Sequence, residues 1–367
     1  MANATLTPRR SQLTKGRMPS YTLWVVLAAS IVVGAALAAL VGFSLVPFAL
    51  FSALIFIGAG TAVTGVVEGS RKARNRFAMF LIYGSFLVAL LPLLSVIWTV
   101  LERGLPGLTY NFLFTSMNGV TGAIDNQVVA EGTPVLGGAY HAIVGTLQIT
   151  LWATLISVPI GLLSAVYLVE YSTGGKLARA ITFFVDVMTG IPSIVAGLFA
   201  AALFGQLFGP GTRTGFVAAV ALSVLMIPVV VRSTEEMLKI VPNELREAAY
   251  ALGVRKWRTI TRVVIPTAIS GIASGVTLAI ARVIGETAPI LVTAGFASSI
   301  NWNVFGDWMS TLPTFIYYQL LTPPSPTATD PSTQRAWAAA LVLIIMVMLL
   351  NLAARLIARL FAPKTSR

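Results

Sequence analysis

Eight stretches of the 367-residue chain, at 21–43, 47–67, 77–100, 139–169, 180–208, 215–231, 263–284 and 336–357, are almost wholly apolar. About 20 apolar residues in a helix cross the roughly 30 Å hydrocarbon core of a bilayer. Inside lipid the backbone has no water to bond, so a span of this kind must satisfy its N–H and C=O groups within its own helix. The pattern predicts an all-α integral membrane protein of eight spans. Hydrophobic residues make up 56% of the chain and charged residues 10%, against about 25% charged in a soluble domain.

Short loops on the cytoplasmic side of a membrane hold an excess of Lys and Arg. With the N-terminus inside, Arg9, Arg10, Lys15, Arg17, Arg71, Lys72, Arg74, Arg76, Lys176 and Arg179 fall on that side. So do the segment 232–262 and the tail residues Arg355, Arg359, Lys364 and Arg367, while only Arg103, Arg213 and Arg335 fall outside. An even number of spans returns the C-terminus to the cytoplasm, in agreement with the basic tail. Topology and anionic lipid account for the net charge of +12 without nucleic acid. The chain has no cysteine, hence no disulfide framework, thiolate nucleophile or zinc–cysteine site. The first apolar run is longer than the core of a signal peptide, which predicts an uncleaved anchor.

Residues 1–76 read as a cytoplasmic tail and an added transmembrane hairpin, and residues 77–367 as a six-span core. The hairpin carries no ionisable residue on its membrane face. Two readings stand for it, a packing or lipid-facing appendage and a partner-binding module. The external loop 101–138 contains Glu102, Asp125 and Glu131 with few positive charges, and has the makings of a small cap. The external loop 298–335 carries Trp302, Trp308, Tyr317 and Tyr318, suited to a membrane interface. Pro323, Pro324, Pro326 and Pro331 follow, either as an extended connection or as a surface that receives a soluble partner. His141, at the outer start of the fourth span, reads as an interfacial residue. Gly205 with Gly209, and Gly271 with Gly275, have the spacing that lets membrane helices approach closely.

Between the sixth and seventh spans lies a stretch with the composition of a soluble amphipathic helix. Pro242 suits its first turn and Glu244 its positive end. Leu245, Ala248, Ala249 and Leu252 follow helical spacing, and Gly253 is its stop. Small alanines let such a helix lie deep in a groove, with Arg246 and Glu247 as charged anchors at the edge. The alternative is a linker helix on the membrane surface. The order Glu247-Ala248-Ala249, three residues, Gly253, then Val263-Val264-Ile265-Pro266 resembles the EAA loop of ABC importer permeases. That resemblance implies a type I importer fold, in which the loop 232–262 docks a separate ATPase. The chain itself has no phosphate-cradling loop: around Gly174-Gly175-Lys176, Glu170 and Leu177 occupy positions that would need Gly and Ser or Thr.

Arg282 and Glu286 stand in the seventh span, four residues apart and so on one helix face. Charges at such depth usually mark a pathway; the alternative is a structural ion pair. The stretch Arg282-Val283-Ile284-Gly285-Glu286-Thr287-Ala288-Pro289 resembles the Arg-x-x-Gly-Glu-Thr-Ala-Pro segment of phosphate importer permeases of the PstA type. Gly190-Ile191-Pro192-Ser193-Ile194-Val195-Ala196-Gly197-Leu198-Phe199 is similar to a second segment of that family. The resemblance implies phosphate as cargo, and a guanidinium suits an oxyanion. Arg282, Glu286, Thr287 and Ser193 are the candidate pathway residues; Arg246, Glu247, Ala248, Ala249 and Gly253 are the candidate coupling residues. For Ser193, contact with the anion and helix packing both stand, and Asp186 belongs either to a cavity or to the cytoplasmic end.

The resemblance further implies a bacterial multi-pass membrane protein that pairs with a second, PstC-like permease. It implies a PstB-like cytoplasmic ATPase dimer that holds ATP and Mg, with no cofactor in this chain, and an extracytoplasmic PstS-like phosphate-binding protein. The rival readings are a permease for molybdate, sulfate or phosphonate, and a membrane scaffold in phosphate signalling. An intramembrane enzyme has no credible nucleophile or metal set here.

Overall fold

The computed structural model describes residues 18–172 and 174–361, with side chains to residue 356. Arg9, Arg10, Lys15, Arg17, Lys364 and Arg367 lie outside the described residues, as does the side chain of Arg359. The described regular structure is helical. Seven helices are long and apolar enough to span a membrane, and a bent pair makes an eighth if counted as one span.

The chain forms two compact units that divide between Trp98 and Thr99. The first holds α1 (Thr22–Val41), α2 (Leu45–Glu68) and most of α3 (Ser70–Gly104). α1 and α2 pack closely because Gly34 has no side chain to collide with Ser52. Gly60 makes room for Phe80 of α3, whose ring lies 5.1 Å from that of Phe56. Glu68, at the end of α2, gathers Lys72, Arg76 and the backbone N–H of Met18.

The second unit is built on α6 (Tyr140–Val166) and α9 (Gly215–Ile240), which run side by side. Gly161 lies against Val230, where an added methyl would collide. α12 (Ile265–Val283) packs on α9 through Gly271, against Met237, and Gly275, against Ser233. This is the close approach that the glycine spacing predicts. At Gly205 an added methyl would meet open space, so there the same spacing carries no packing. Ile149, Leu222, Met226, Val283 and Ile290 share the buried apolar core between these helices.

The fifth apolar run is not one helix. α7 (Lys176–Gly190) and α8 (Ser193–Phe208) turn by 110° at Ile191-Pro192. A residue before proline is forced away from helical angles, and both Ile191 (ψ 127°) and Pro192 (ψ 137°) are extended.

The segment 101–138 folds into α4 (Tyr110–Phe114) and α5 (Gly122–Glu131), while α14 (Leu312–Leu321) and α15 (Asp330–Phe361) flank the proline-rich connection. Arg335, expected in an external loop, is in α15 and 1% exposed. It donates to both carboxylate oxygens of Asp125, at 2.9 and 2.6 Å, and to Gln319 Oε1 and the Leu136 carbonyl. The proline-rich connection is pinned by Ser325, whose hydroxyl donates to Asn126 at 2.6 Å. His141 is buried against the edge of Phe315 rather than interfacial. The side chains of Trp302 and Trp308 are exposed.

Candidate functional site

α12 ends at Val283, and a turn through Ile284 and Gly285 leads to Glu286, whose N–H returns to the Val283 carbonyl at 3.1 Å. The break corrects the expectation that Arg282 and Glu286 share one helix face. No ion pair joins them among the described residues, and neither side chain has a hydrogen-bond partner there. Arg282 is exposed, while Glu286 and Thr287 are half-buried. Thr287 precedes α13 (Ala288–Thr293), which Pro289 starts without needing an N–H.

The helix beyond the elbow of the fifth run packs on α13. Gly197 of α8 lies against Pro289 and Val292, and an added methyl there would come within 2.6 Å of the Pro289 backbone. Ile191 and Ala196 pack into the same core as Val283 and Ile290. The structure thus brings together the two segments, 190–199 and 282–289, that stand far apart in sequence. Ser193 opens α8 and is half-buried, and the N–H groups of Val195 and Ala196 are taken by the Pro192 carbonyl. The amides of Ser193 and Ile194 are orphan donors of a helix start, where the dipole is positive. An unpaired guanidinium and a carboxylate thus flank the turn that leads into α13, and α8 packs on that helix. Such a set can hold an oxyanion by charge and by N–H donation. It offers no nucleophile placed against a base.

Asp186 is not part of this set. It pairs with Arg232, which also binds Glu235 at 3.0 Å, and Glu235 binds Lys239 at 2.7 Å. The chain of pairs ties α7 to the end of α9.

The second candidate surface is α10 (Asn243–Ala251), entered through Pro242 and closed by Gly253 in the left-handed region at φ 74°. Glu247 and Ala248 are exposed, as are Leu245, Tyr250 and Leu252, the last 83% exposed. Ala249 is buried. Arg246, expected at the edge as a docking anchor, is turned into its own chain. It donates to Glu170 at 3.1 and 2.7 Å and to the carbonyls of Val241 and Leu238 at the end of α9. Glu170 is 4% exposed and lies in a π-helical turn, Tyr167–Tyr171, that ends the fourth span. A second π-helical turn, Ile260–Val264, follows the loop. Residues of both turns share one core with Leu238 and Val241. Sequence spacing gave no signal for the Glu170–Arg246 pair, whose partners are 76 residues apart.

Residues 157–367 match the family of the binding-protein-dependent transport system inner membrane component. The chain is similar to the phosphate transport system permease protein PstA 1 of Mycobacterium tuberculosis, with 47% identity over 287 residues, 78% of this chain and 88% of that one. It is 45% identical to PstA of Mycobacterium leprae over 77% of this chain and 88% of that protein. With PstA of Yersinia pestis it shares 35% identity over 80% of this chain and 92% of that one.

Proposed function

The chain belongs to the PstA family of phosphate transport permeases, and from that premise we propose how its side chains divide the work. It is a transmembrane permease subunit of an ATP-driven phosphate importer, a multi-pass protein of the bacterial membrane. It is not an enzyme: hydrolysis belongs to a separate ATPase subunit of the same system, which also includes a partner permease and a binding protein.

In the proposed assembly a PstC-like chain supplies the other half of the pathway. A PstB-like ATPase dimer, holding ATP and Mg, docks on the α10 loops from the cytoplasm, and a PstS-like protein delivers phosphate outside. Both termini and the loop 232–262 face the cytoplasm, and the cap around α4 and α5 faces outward. The basic residues Arg71, Lys72, Arg74, Arg76, Lys176 and Arg179 support that orientation.

Arg282 meets the oxyanion, and Ser193 with the orphan amides of α8 gives it donors. Glu286 offsets the charge of the empty arginine, which keeps the site weak enough to release its ion, and Thr287 borders the same turn. The observation that supports this reading is the packing of Gly197 against Pro289, which holds α8 against α13, the helix that follows the turn carrying Arg282, Glu286 and Thr287. The ATPase grips Glu247, Ala248, Leu245 and Leu252. Arg246 holds the helix to α6 and α9, so that a displacement of α10 is passed into the spans. Alternation of access then follows from a rigid-body shift, provided that phosphate binds the two states with different strength.

The test is phosphate uptake by the reconstituted complex with Arg282→Ala and Glu286→Gln, each checked for assembly by co-purification. Loss of an arginine that binds the passing anion is expected to lower uptake about a hundredfold. Normal uptake by both variants would sink the pathway reading. Inhibition by sulfate or molybdate equal to that by unlabelled phosphate would move the cargo to another oxyanion.

A further inference from the structure

Resting on the pathway reading, we infer that the groove between α12 and α15 is the inward leg of the phosphate path, and that Arg355 and Asn351 are its guiding residues. The groove is a cavity of about 540 Å³ lined by Ser270, Ser274 and Thr277 of α12 and by Asn351 and Arg355 of α15. A second cavity of about 210 Å³ shares Thr277 and Asn351 with it and reaches Ile284, the residue before the Gly285 turn. The two form a continuous depression from the Arg282 turn to Arg355.

The larger cavity mixes unpaired polar groups with Leu278, Ala281 and Ala354, and the polar groups argue for water there. Ser270, Ser274 and Arg355 are exposed and Asn351 is half-buried, and none has a hydrogen-bond or ion-pair partner among the described residues. Thr277 satisfies its proton on the Ala273 carbonyl at 2.8 Å, and its lone pairs remain free. Polar groups in hydrocarbon must find partners or face water. Arg355 is near the end of its helix and could reach a headgroup, but Asn351 lies a full turn deeper, facing the hydroxyls of α12 across the same groove.

Arg355 offers a charge at one end of the groove, and the other end, at Ile284, lies two residues along the chain from Arg282. The larger cavity presents small hydroxyls and one amide, which can exchange bonds with a hydrated anion without holding it tightly, and beyond Thr277 and Asn351 the smaller one is apolar up to Ile284. An arginine with weak polar sites beside it lets an ion bind and leave toward the cytoplasm.

Because the chain has no cysteine, single substitutions report access to water directly. Ser274→Cys and Asn351→Cys would be placed in the complete importer in lipid vesicles, with Val88→Cys, on a 70% exposed apolar face of α3, as the reference. Labelling by an anionic methanethiosulfonate, read by mass on this chain, is expected to be at least about tenfold faster at the two groove positions. The reason is that a thiolate forms in water and is suppressed in hydrocarbon. Inorganic phosphate at about twice its dissociation constant should slow that labelling about threefold. Ser270→Cys replaces either variant that does not assemble. Labelling no faster than at Val88→Cys overturns the inference, whether lipid or the partner permease covers the groove, and leaves the Arg282 reading to its own uptake test. Arg355→Gln is expected to slow phosphate uptake about tenfold with the ATPase still co-purifying, and Arg355→Lys to recover most of it. Unchanged uptake by Arg355→Gln removes that residue from the path.

Discussion

The two units solve the same problem, a helix in lipid, with opposite use of polar groups. In the first unit the exposed side chains along α1 to α3 are large and apolar, Trp24, Val32, Leu54, Ile82, Val88 and Leu91 among them, and charge gathers at the α2–α3 junction around Glu68. In the second unit, charge is placed inside. Arg335 and Asp125 are fully buried, Glu170 and Arg246 nearly so, and the exposed face of α12 carries Ser270, Ser274 and Arg282. A wholly apolar surface needs nothing but close helix packing beneath it, whether lipid or a partner covers it. A unit proposed to move an anion and to receive a mechanical load needs fixed charge, with its struts buried and its proposed contact groups unpaired.

The largest effect should come from breaking a buried strut. Asp125→Ala leaves the buried Arg335 without its counter-ion, at a cost of about 3–5 kcal/mol, seen as a fall in the denaturation midpoint of the purified protein. A midpoint within error of the original would show that the pair is no strut. Overpacking comes next. Gly275→Val drives a side chain into Ser233 and should cost about 1–3 kcal/mol, whereas Gly205→Ala, facing open space, should be near neutral. Equal effects would erase the distinction between the two glycine spacings. Third is a change that separates load from stability. Leu252→Asp, 83% exposed, should shift stability by less than about 0.5 kcal/mol while ATPase recovery on co-purification drops about tenfold. Undiminished recovery would free α10 from its proposed role. The smallest effect belongs to the first unit: Val88→Ala on its exposed face should change stability by less than about 0.5 kcal/mol. A loss as large as that of Asp125→Ala would mean that this face is covered by protein rather than lipid.

Much of this architecture was legible from residue order. The spans show because a helix in hydrocarbon needs an unbroken apolar run, and α1, α2 and α9 begin within two residues of where those runs begin. α10 and its stop show because proline and glycine act locally, and the close approach at Gly271 and Gly275 follows from spacing alone. The elbow at Pro192 was half legible. Proline announces a break, but the 110° turn depends on Gly197 finding Pro289 across the unit. His141 and Arg335 were misplaced because a polar residue near a span end reads as interfacial until its partners are known. Arg246 was misread for the same reason: Glu170 reaches it only after α6 and α9 are side by side.

Residue order by itself determined an all-helical membrane protein, the helix proposed to receive an outside ATPase, and the charged segment proposed to meet its cargo. These follow from hydropathy, helix period and local backbone chemistry, which act over a few turns. The tertiary structure decided which charges are struts and which are free. An ion pair closes only when two helices distant in sequence are packed together, so Asp125 and Arg335, 210 residues apart, become a strut. Arg282, four residues from an acid, stays unpaired because its helix ends between them.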